Sequence, residues 1–147
     1  MPHRQLASVL KQQKTVNVLL VDDDEVDIMG VKREFKKSDF SNPIVVANNG
    51  QEALQKLRDG SVNHPCMVLL DLNMPKMNGL EFLREVRQDP ILKEMIVFVL
   101  TTSKAESDVK AAYAHNVAGY IVKDRTDEGF INTTSLLDQY TRLVEFP

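Results

Sequence analysis

Two acidic groups, a hydroxyl and a lysine each follow a short apolar run in this chain. Asp22-Asp23-Asp24-Glu25, with Asp27 just beyond, comes directly after Val18-Leu19-Leu20-Val21. Asp71 closes the apolar stretch 66–70, Thr101-Thr102-Ser103 follow 96–100, and Lys123 follows 118–122. Carboxylates drawn together from two chain segments repel one another unless a cation lies between them. An all-oxygen donor set that retains waters favours Mg²⁺ over Zn²⁺. A lysine ammonium and a hydroxyl facing the same pocket would suit an incoming phosphoryl group. Each residue alone has an ordinary explanation. An acidic run after a strand suits a helix N-terminus, Asp24 suits an N-cap, Thr101 is a common strand end, and a lysine stem covers apolar atoms. Asp71 is harder to dismiss, because a carboxylate closing a buried strand needs a partner. The phosphoryl reading therefore depends on whether the chain brings all four places to one edge.

The periodicity predicts elements that do this. Short β-branched runs over 16–21, 43–47, 66–70, 96–100 and 118–122 read as strands, the third so continuously apolar that both its faces must be covered. Between them lie helical patterns. Ile28, Val31 and Phe35 share one face, as do Ala53, Leu54 and Leu57, and then Leu80, Leu83 and Val86. Asn48-Asn49-Gly50 and Asn78-Gly79 read as helix starts, and Asp89-Pro90 as a stop. A fourth helix is expected over 107–116. Leu136, Leu137, Tyr140, Leu143 and Val144 form the stripe of a last one, expected to pack on the sheet. Five strands alternating with five helices predict an α/β fold, a doubly wound parallel sheet with helices on both faces. In strand order 2-1-3-4-5 the first and third strands are neighbours at the switch point, where such sheets bind ligands. Asp22, Asp23 and Asp71 then converge.

Composition narrows the rest. One cysteine, Cys66, excludes an intramolecular disulfide and a multi-cysteine zinc site, and His3, His64 and His115 have no metal-ligand spacing. A net charge of −3 lacks the basic footprint of a nucleic-acid binder. No apolar run approaches the roughly 20 residues of a membrane span, and the first residues lack the apolar core of a secretory signal. A cytoplasmic single domain is expected, with no membrane and no nucleic-acid partner. No glycine-rich nucleotide loop is present, so ATP is not an expected ligand.

The ordered set Val21-Asp22-Asp23, Asp71-Leu72-Asn73-Met74-Pro75-Lys76-Met77-Asn78-Gly79, Thr101 and Lys123 resembles the receiver domain of two-component response regulators. The likeness covers about residues 16–144 and implies a flavodoxin-like, CheY-like fold. It implies a receiver domain over 16–147 preceded by an N-terminal extension over 1–15, where Leu6, Val9 and Leu10 stand at near-helical spacing. It implies Asp71 as phosphoacceptor, Asp22 and Asp23 as the acidic pair, and Thr101 and Lys123 as phosphoryl contacts. Mg²⁺ would be held by Asp22, Asp23, Asp71 and the backbone carbonyl of Asn73. Tyr120 matches the aromatic switch position. Asn73 and Ser103 fall where side chains of the family tune phosphoryl lifetime. One departure stands out. The family usually follows its lysine with a proline in a cis peptide, and here Asp124 follows. A non-proline cis bond costs about 3–4 kcal/mol, so the loop either carries that strain or is trans, and Asp124 sets a negative charge beside Lys123.

The resemblance implies a phosphoacceptor switch rather than an enzyme, one that takes its phosphoryl group from the phosphohistidine of a sensor histidine kinase and resets by slow self-dephosphorylation. The segment 59–65, the loop Asp89-Pro90-Ile91-Leu92-Lys93 and Leu100-Thr101-Thr102-Ser103 are similar to stand-alone regulators paired with phytochrome-type kinases. With no residues after about Val144 for a DNA-binding domain, output is expected through a downstream protein or a homodimer, on the face of the fourth helix, fifth strand and fifth helix. Two other readings stay open. One is a docking module that works without phosphorylation. The other is a small Mg²⁺-dependent aspartyl phosphohydrolase, against which Asp71-Leu72-Asn73 lacks the second aspartate of the usual motif.

Overall fold

The aliphatic runs pair into one parallel sheet in the computed structural model, which describes residues 15–37 and 42–147. The strands are β1 (Asn17–Val21), β2 (Ile44–Ala47), β3 (Cys66–Leu70), β4 (Ile96–Thr101) and β5 (Gly119–Val122). Between and after them lie α1 (Glu25–Lys37), α2 (Gly50–Arg58), α3 (Gly79–Gln88), α4 (Glu106–Ala114) and α5 (Asp127–Leu143). The sheet order is β2-β1-β3-β4-β5, every neighbouring pair parallel. That is the expected order, one of the few doubly wound arrangements the alternation of elements allows. The winding reverses between β1 and β3, whose register runs from Asn17 opposite Cys66 to Val21 opposite Leu70. The expected N-terminal extension, apart from its last residue, lies outside the described residues.

Side chains alternate across the sheet and sort into two cores. Leu19, Val21, Val68, Leu70, Val97 and Val99 share one cluster with Leu54 and Leu57 of α2, Phe82, Leu83 and Val86 of α3, and Ala112 of α4. Val18, Leu20, Met67, Leu69, Phe98 and Leu100 share the other with Ile28, Val31 and Phe35 of α1 and Phe130 and Leu137 of α5. β3 is buried at all five positions, as a strand covered on both faces must be.

Local chemistry sets the helix ends. Asn49 caps α2 by accepting from the Glu52 N–H at 2.9 Å. Asn78 and Glu81 make a reciprocal capping box at the start of α3. The last turn of α4 stops at His115, and Asn116 then takes the left-handed conformation that commonly closes a helix, which is why α4 falls short of the expected 116. The stripe expected on α5 is only partly the buried one. Leu137 is sealed, but Leu136 is 50% and Leu143 78% exposed. Phe130, Thr134 and Leu137, spaced four and three apart, form the packed line instead.

Candidate functional site

The parallel register carries the ends of β1, β3, β4 and β5 to one edge. The Asp71 N–H donates to the Val21 carbonyl at 2.9 Å, tying the end of β3 to that of β1, and the Asp22 N–H donates to Ala47 at 3.0 Å. The Lys123 N–H donates to the Thr101 carbonyl at 2.8 Å, extending the β4–β5 ladder past Val122. Behind Asp71 the first turn of α3 closes in. A Cβ on Gly79 would lie 2.5 Å from the Asp71 carbonyl oxygen and 2.7 Å from Leu72 Cα, so only glycine permits this approach.

Carboxylate oxygens of Asp22, Asp23 and Asp71 all lie within 4.8 Å of one another. Asp22 and Asp71 are buried, whereas Asp23 is exposed. The charge that balances them is the Lys123 ammonium, whose side chain is 4% exposed. It donates to Asp22 Oδ2 at 2.8 Å, to Asp27 Oδ2 at 2.8 Å and to Asp71 Oδ2 at 3.4 Å. Burial pulls its pKa down, but the hydrogen bonds to Asp22 and Asp27 outweigh that and hold it above the ordinary lysine value. Burial dominates at Asp22 and pushes its carboxyl up, against Lys123 and the Asp24 N–H, which donates to Asp22 Oδ1 at 2.9 Å. Burial also acts on Asp27, yet its hydrogen bonds from Arg125 and Lys123 win and lower its pKa.

Asp27 and Arg125 received no role from the sequence. An aspartate in the first turn of a helix reads as a dipole partner, and a loop arginine as solvated. Here Asp27 is 1% exposed and receives the guanidinium fork, Nε to Oδ1 at 2.9 Å and Nη2 to Oδ2 at 3.0 Å. Asp24 accepts from the Val26 and Asp27 N–H groups and caps α1.

Other expected residues stand around this cluster without bonding to its carboxylates through their side chains. The Asn73 N–H donates to Asp71 Oδ1 at 3.3 Å, and its side chain is exposed. Thr101 is fully buried, its Oγ1 accepting a long 3.4 Å bond from the Ser103 N–H. Tyr120 is half-buried, and its phenol donates to the Ser103 carbonyl at 2.9 Å. Ser103 Oγ donates to Asp108 at 2.6 Å, so the loop after β4 joins Thr101, Tyr120 and α4. A cleft of about 430 Å³ opens between the loop after β3, the start of α3 and α4, lined by Asn73, Met74, Pro75 and Asp108 among others.

The Lys123–Asp124 bond is trans, the cis peptide among the described residues being His64–Pro65. Asp124, next to the lysine in the chain, is engaged within the loop. Its carboxylate accepts from Thr126 N–H at 3.0 Å and Oγ1 at 2.7 Å within the loop. A Cβ on Gly129 would strike the carbonyl and side chain of Asp124, so the first turn of α5 rests directly on this loop. Cys66 takes no part in the site. Burial pushes its thiol up to about 12.

A parallel sheet of this order, with acids, hydroxyl and lysine gathered at the carboxyl edge, is the architecture of a receiver. The chain belongs to the response regulator receiver domain family, whose model matches residues 18–134. It is similar to the probable methanogenesis regulatory protein FilR2 of Methanothrix harundinacea, 33% identical over 90% of this chain and 87% of that one. It is 38% identical to the response regulator Rcp1 of Synechocystis over 74% of this chain and 76% of that one. The Mn²⁺-bound structure of Rcp1 superposes with a TM-score of 0.81 at 32% identity, covering 91% and 99% of the two chains. The phosphorylated cyanobacterial phytochrome response regulator RcpA superposes at 0.83 with 29% identity over the same shares. Receiver domains of two-component systems are phosphoacceptors rather than conventional enzymes, which sets aside the phosphohydrolase reading. No helix among the described residues is long and apolar enough to cross a membrane.

Proposed function

We propose that this chain is a stand-alone response regulator that accepts a phosphoryl group on Asp71 from the phosphohistidine of a sensor kinase. The observation that carries the reading is the Lys123 ammonium bonded at once to Asp22, Asp27 and Asp71 at the switch point of the sheet. The span of the relatives supports a single receiver over 16–147, since nearly the whole Rcp1 and RcpA chains are covered. RcpA is a phytochrome response regulator, which favours a kinase of that type.

The donor set fits a hard dication. Three carboxylates offer oxygens within 4.8 Å, one of them open to solvent, and among the described residues no cysteine or histidine joins the group. Asp22, Asp23, Asp71 and the Asn73 carbonyl would hold Mg²⁺, which when bound neutralises charge on the transferring group.

The protein's own residues do the rest. Asp71 Oδ forms a bond to phosphorus as the histidine N–P bond breaks, the imidazole leaving with the electron pair and taking a proton. A carboxylate is a weak nucleophile, so catalysis is positioning and charge stabilisation. Lys123 has three donors and all three are committed, so it reaches a phosphoryl oxygen by giving up the longest bond, the 3.4 Å one to Asp71. Thr101 gives up only its long contact with Ser103 when its hydroxyl turns to the phosphoryl group. The freed Ser103 lies in the loop that Tyr120 already grips, so the shift passes to α4 and β5. Water in the same pocket then hydrolyses the acyl phosphate.

Output would follow through the face of α4, β5 and α5, whose exposed Tyr113, Val122, Leu136 and Leu143 suit a protein partner or a second copy. The test is Asp71→Asn incubated with Mg²⁺ and acetyl phosphate, followed by intact mass. The variant is expected to stay unlabelled while the wild type gains a phosphoryl group. Labelling of the variant at the wild-type rate would reject the acceptor assignment.

A further inference from the structure

Arg125 lies two residues beyond Lys123, half in solvent, yet its guanidinium makes a two-point contact with the most deeply buried carboxylate near the site. Asp27 Oδ2 is shared, accepting from Arg125 Nη2 at 3.0 Å and from Lys123 Nζ at 2.8 Å. Asp27 lies outside the group of carboxylates that could share an ion, so it stays a partner of Lys123 when the other acids turn elsewhere. The loop after β5 has no proline to stiffen it, its Lys123–Asp124 peptide is trans, and Asp124 bonds only within the loop. Beyond Lys123 itself, this loop is tied across to α1 by the Arg125–Asp27 fork and to Asp24 by a longer 3.5 Å pair from Arg125.

We propose that Arg125 and Asp27 are positioning residues for phosphoryl transfer, the guanidinium fork fixing Asp27 so that Asp27 in turn aims the Lys123 ammonium. This rests on the reading of Lys123 as a phosphoryl contact. A fork fixes both position and plane of a carboxylate, which a point charge does not. Without it, Asp27 rotates and gives its whole charge to Lys123, holding the ammonium back from the incoming group. Misplacing a reacting group by about 1 Å can cost on the order of 10²-fold. Asp27 still bonds Lys123 without the fork, so the expected loss is the smaller one of about tenfold.

The experiment labels the full chain with acetyl phosphate at saturating Mg²⁺ and reads the saturated rate and the half-saturating acetyl phosphate separately. Arg125 is exposed enough that its variants fold, which circular dichroism checks. Arg125→Gln is expected to lower the saturated rate about tenfold with half-saturation unchanged. Arg125→Lys, which keeps the charge but not the fork, is expected not to restore it. Asp24→Asn, which removes the other partner of Arg125 and still caps α1, is expected to label like the wild type. The proposal is overturned if Arg125→Gln matches the wild type, if lysine rescues it, if Asp24→Asn slows labelling equally, or if only half-saturation rises. The last outcome would mean that Arg125 touches the donor directly. Asp71→Asn run alongside separates failures, because persistent labelling there rejects the acceptor reading instead.

Discussion

Asp22 and Asp27 both lie under the Lys123 ammonium, nearly sealed from water, yet their acidities move in opposite directions. Asp22 meets one lysine and pays burial in full. Asp27 meets two cations in good geometry. Stability responds with opposite signs. At Asp22 the folded value lies above the unfolded one, so its ionisation erodes stability as pH rises past the ordinary aspartate range. At Asp27 the folded value lies below, so its contribution is present above that range and lost as pH falls through the folded value. In metal-free buffer at pH 7, Asp22→Asn should therefore raise the thermal midpoint and Asp27→Asn should lower it. The second loss, on the order of 3 kcal/mol, is that of a buried carboxylate removed while Lys123 and Arg125 stay behind. Thermal melts of the two variants at pH 7 check the signs, and a matching fall in both would contradict them. The sequence made Asp22, Asp71 and Lys123 readable because strand ends are marked by where apolar runs stop. It hid Asp27, since its burial depends on a fork reaching across from Arg125, 98 positions away.

At the scale of elements, alternation within strands and capping chemistry at helix starts are local signals, and the five strands and first three helices follow them closely. α5 shows where local pattern stops being enough. Leu136, Leu137 and Leu143 look alike in sequence, but the helix turns toward the sheet along the line through Phe130, Leu137 and Tyr140, whose ring packs on Phe98. Which of two adjacent stripes faces inward is set by its contact with α1, not by its own residues. Leu137→Ala should cost about 2–5 kcal/mol in urea unfolding. Leu136→Ala and Leu143→Ala should stay within about 0.5 kcal/mol. Equal losses at all three positions would mean that the whole stripe packs. Arg87 does comparable work between elements, donating to the carbonyls of Lys93, Met95, His115 and Asn116 and so binding the end of α3 to the loops before β4 and after α4. Nothing in the periodicity of α3 marks that arginine.

For the molecule as a whole, the acidic edge sets function against stability. Three carboxylates are held within 4.8 Å by backbone bonds between strand ends and answered by a single ammonium. Asp22 bears the cost, its carboxyl pushed up by burial despite Lys123. Any cation that binds the folded edge but not the unfolded chain stabilises by linkage, about 2.7 kcal/mol at a concentration 100 times its dissociation constant. Mg²⁺ should accordingly raise the thermal midpoint of the wild type in a concentration-dependent way, and chelation should reverse it. Asp22→Asn separates this from a general salt effect, because it removes both the strain and a ligand. The variant should begin from a higher metal-free midpoint and gain less from each increment of Mg²⁺, so that the two melting curves approach one another as the ion is added. Calorimetry across a Mg²⁺ series at constant ionic strength measures both quantities. If the wild type and the variant rose in parallel, the ion would be acting elsewhere on the surface, and the acidic edge would be only a strained feature of the fold.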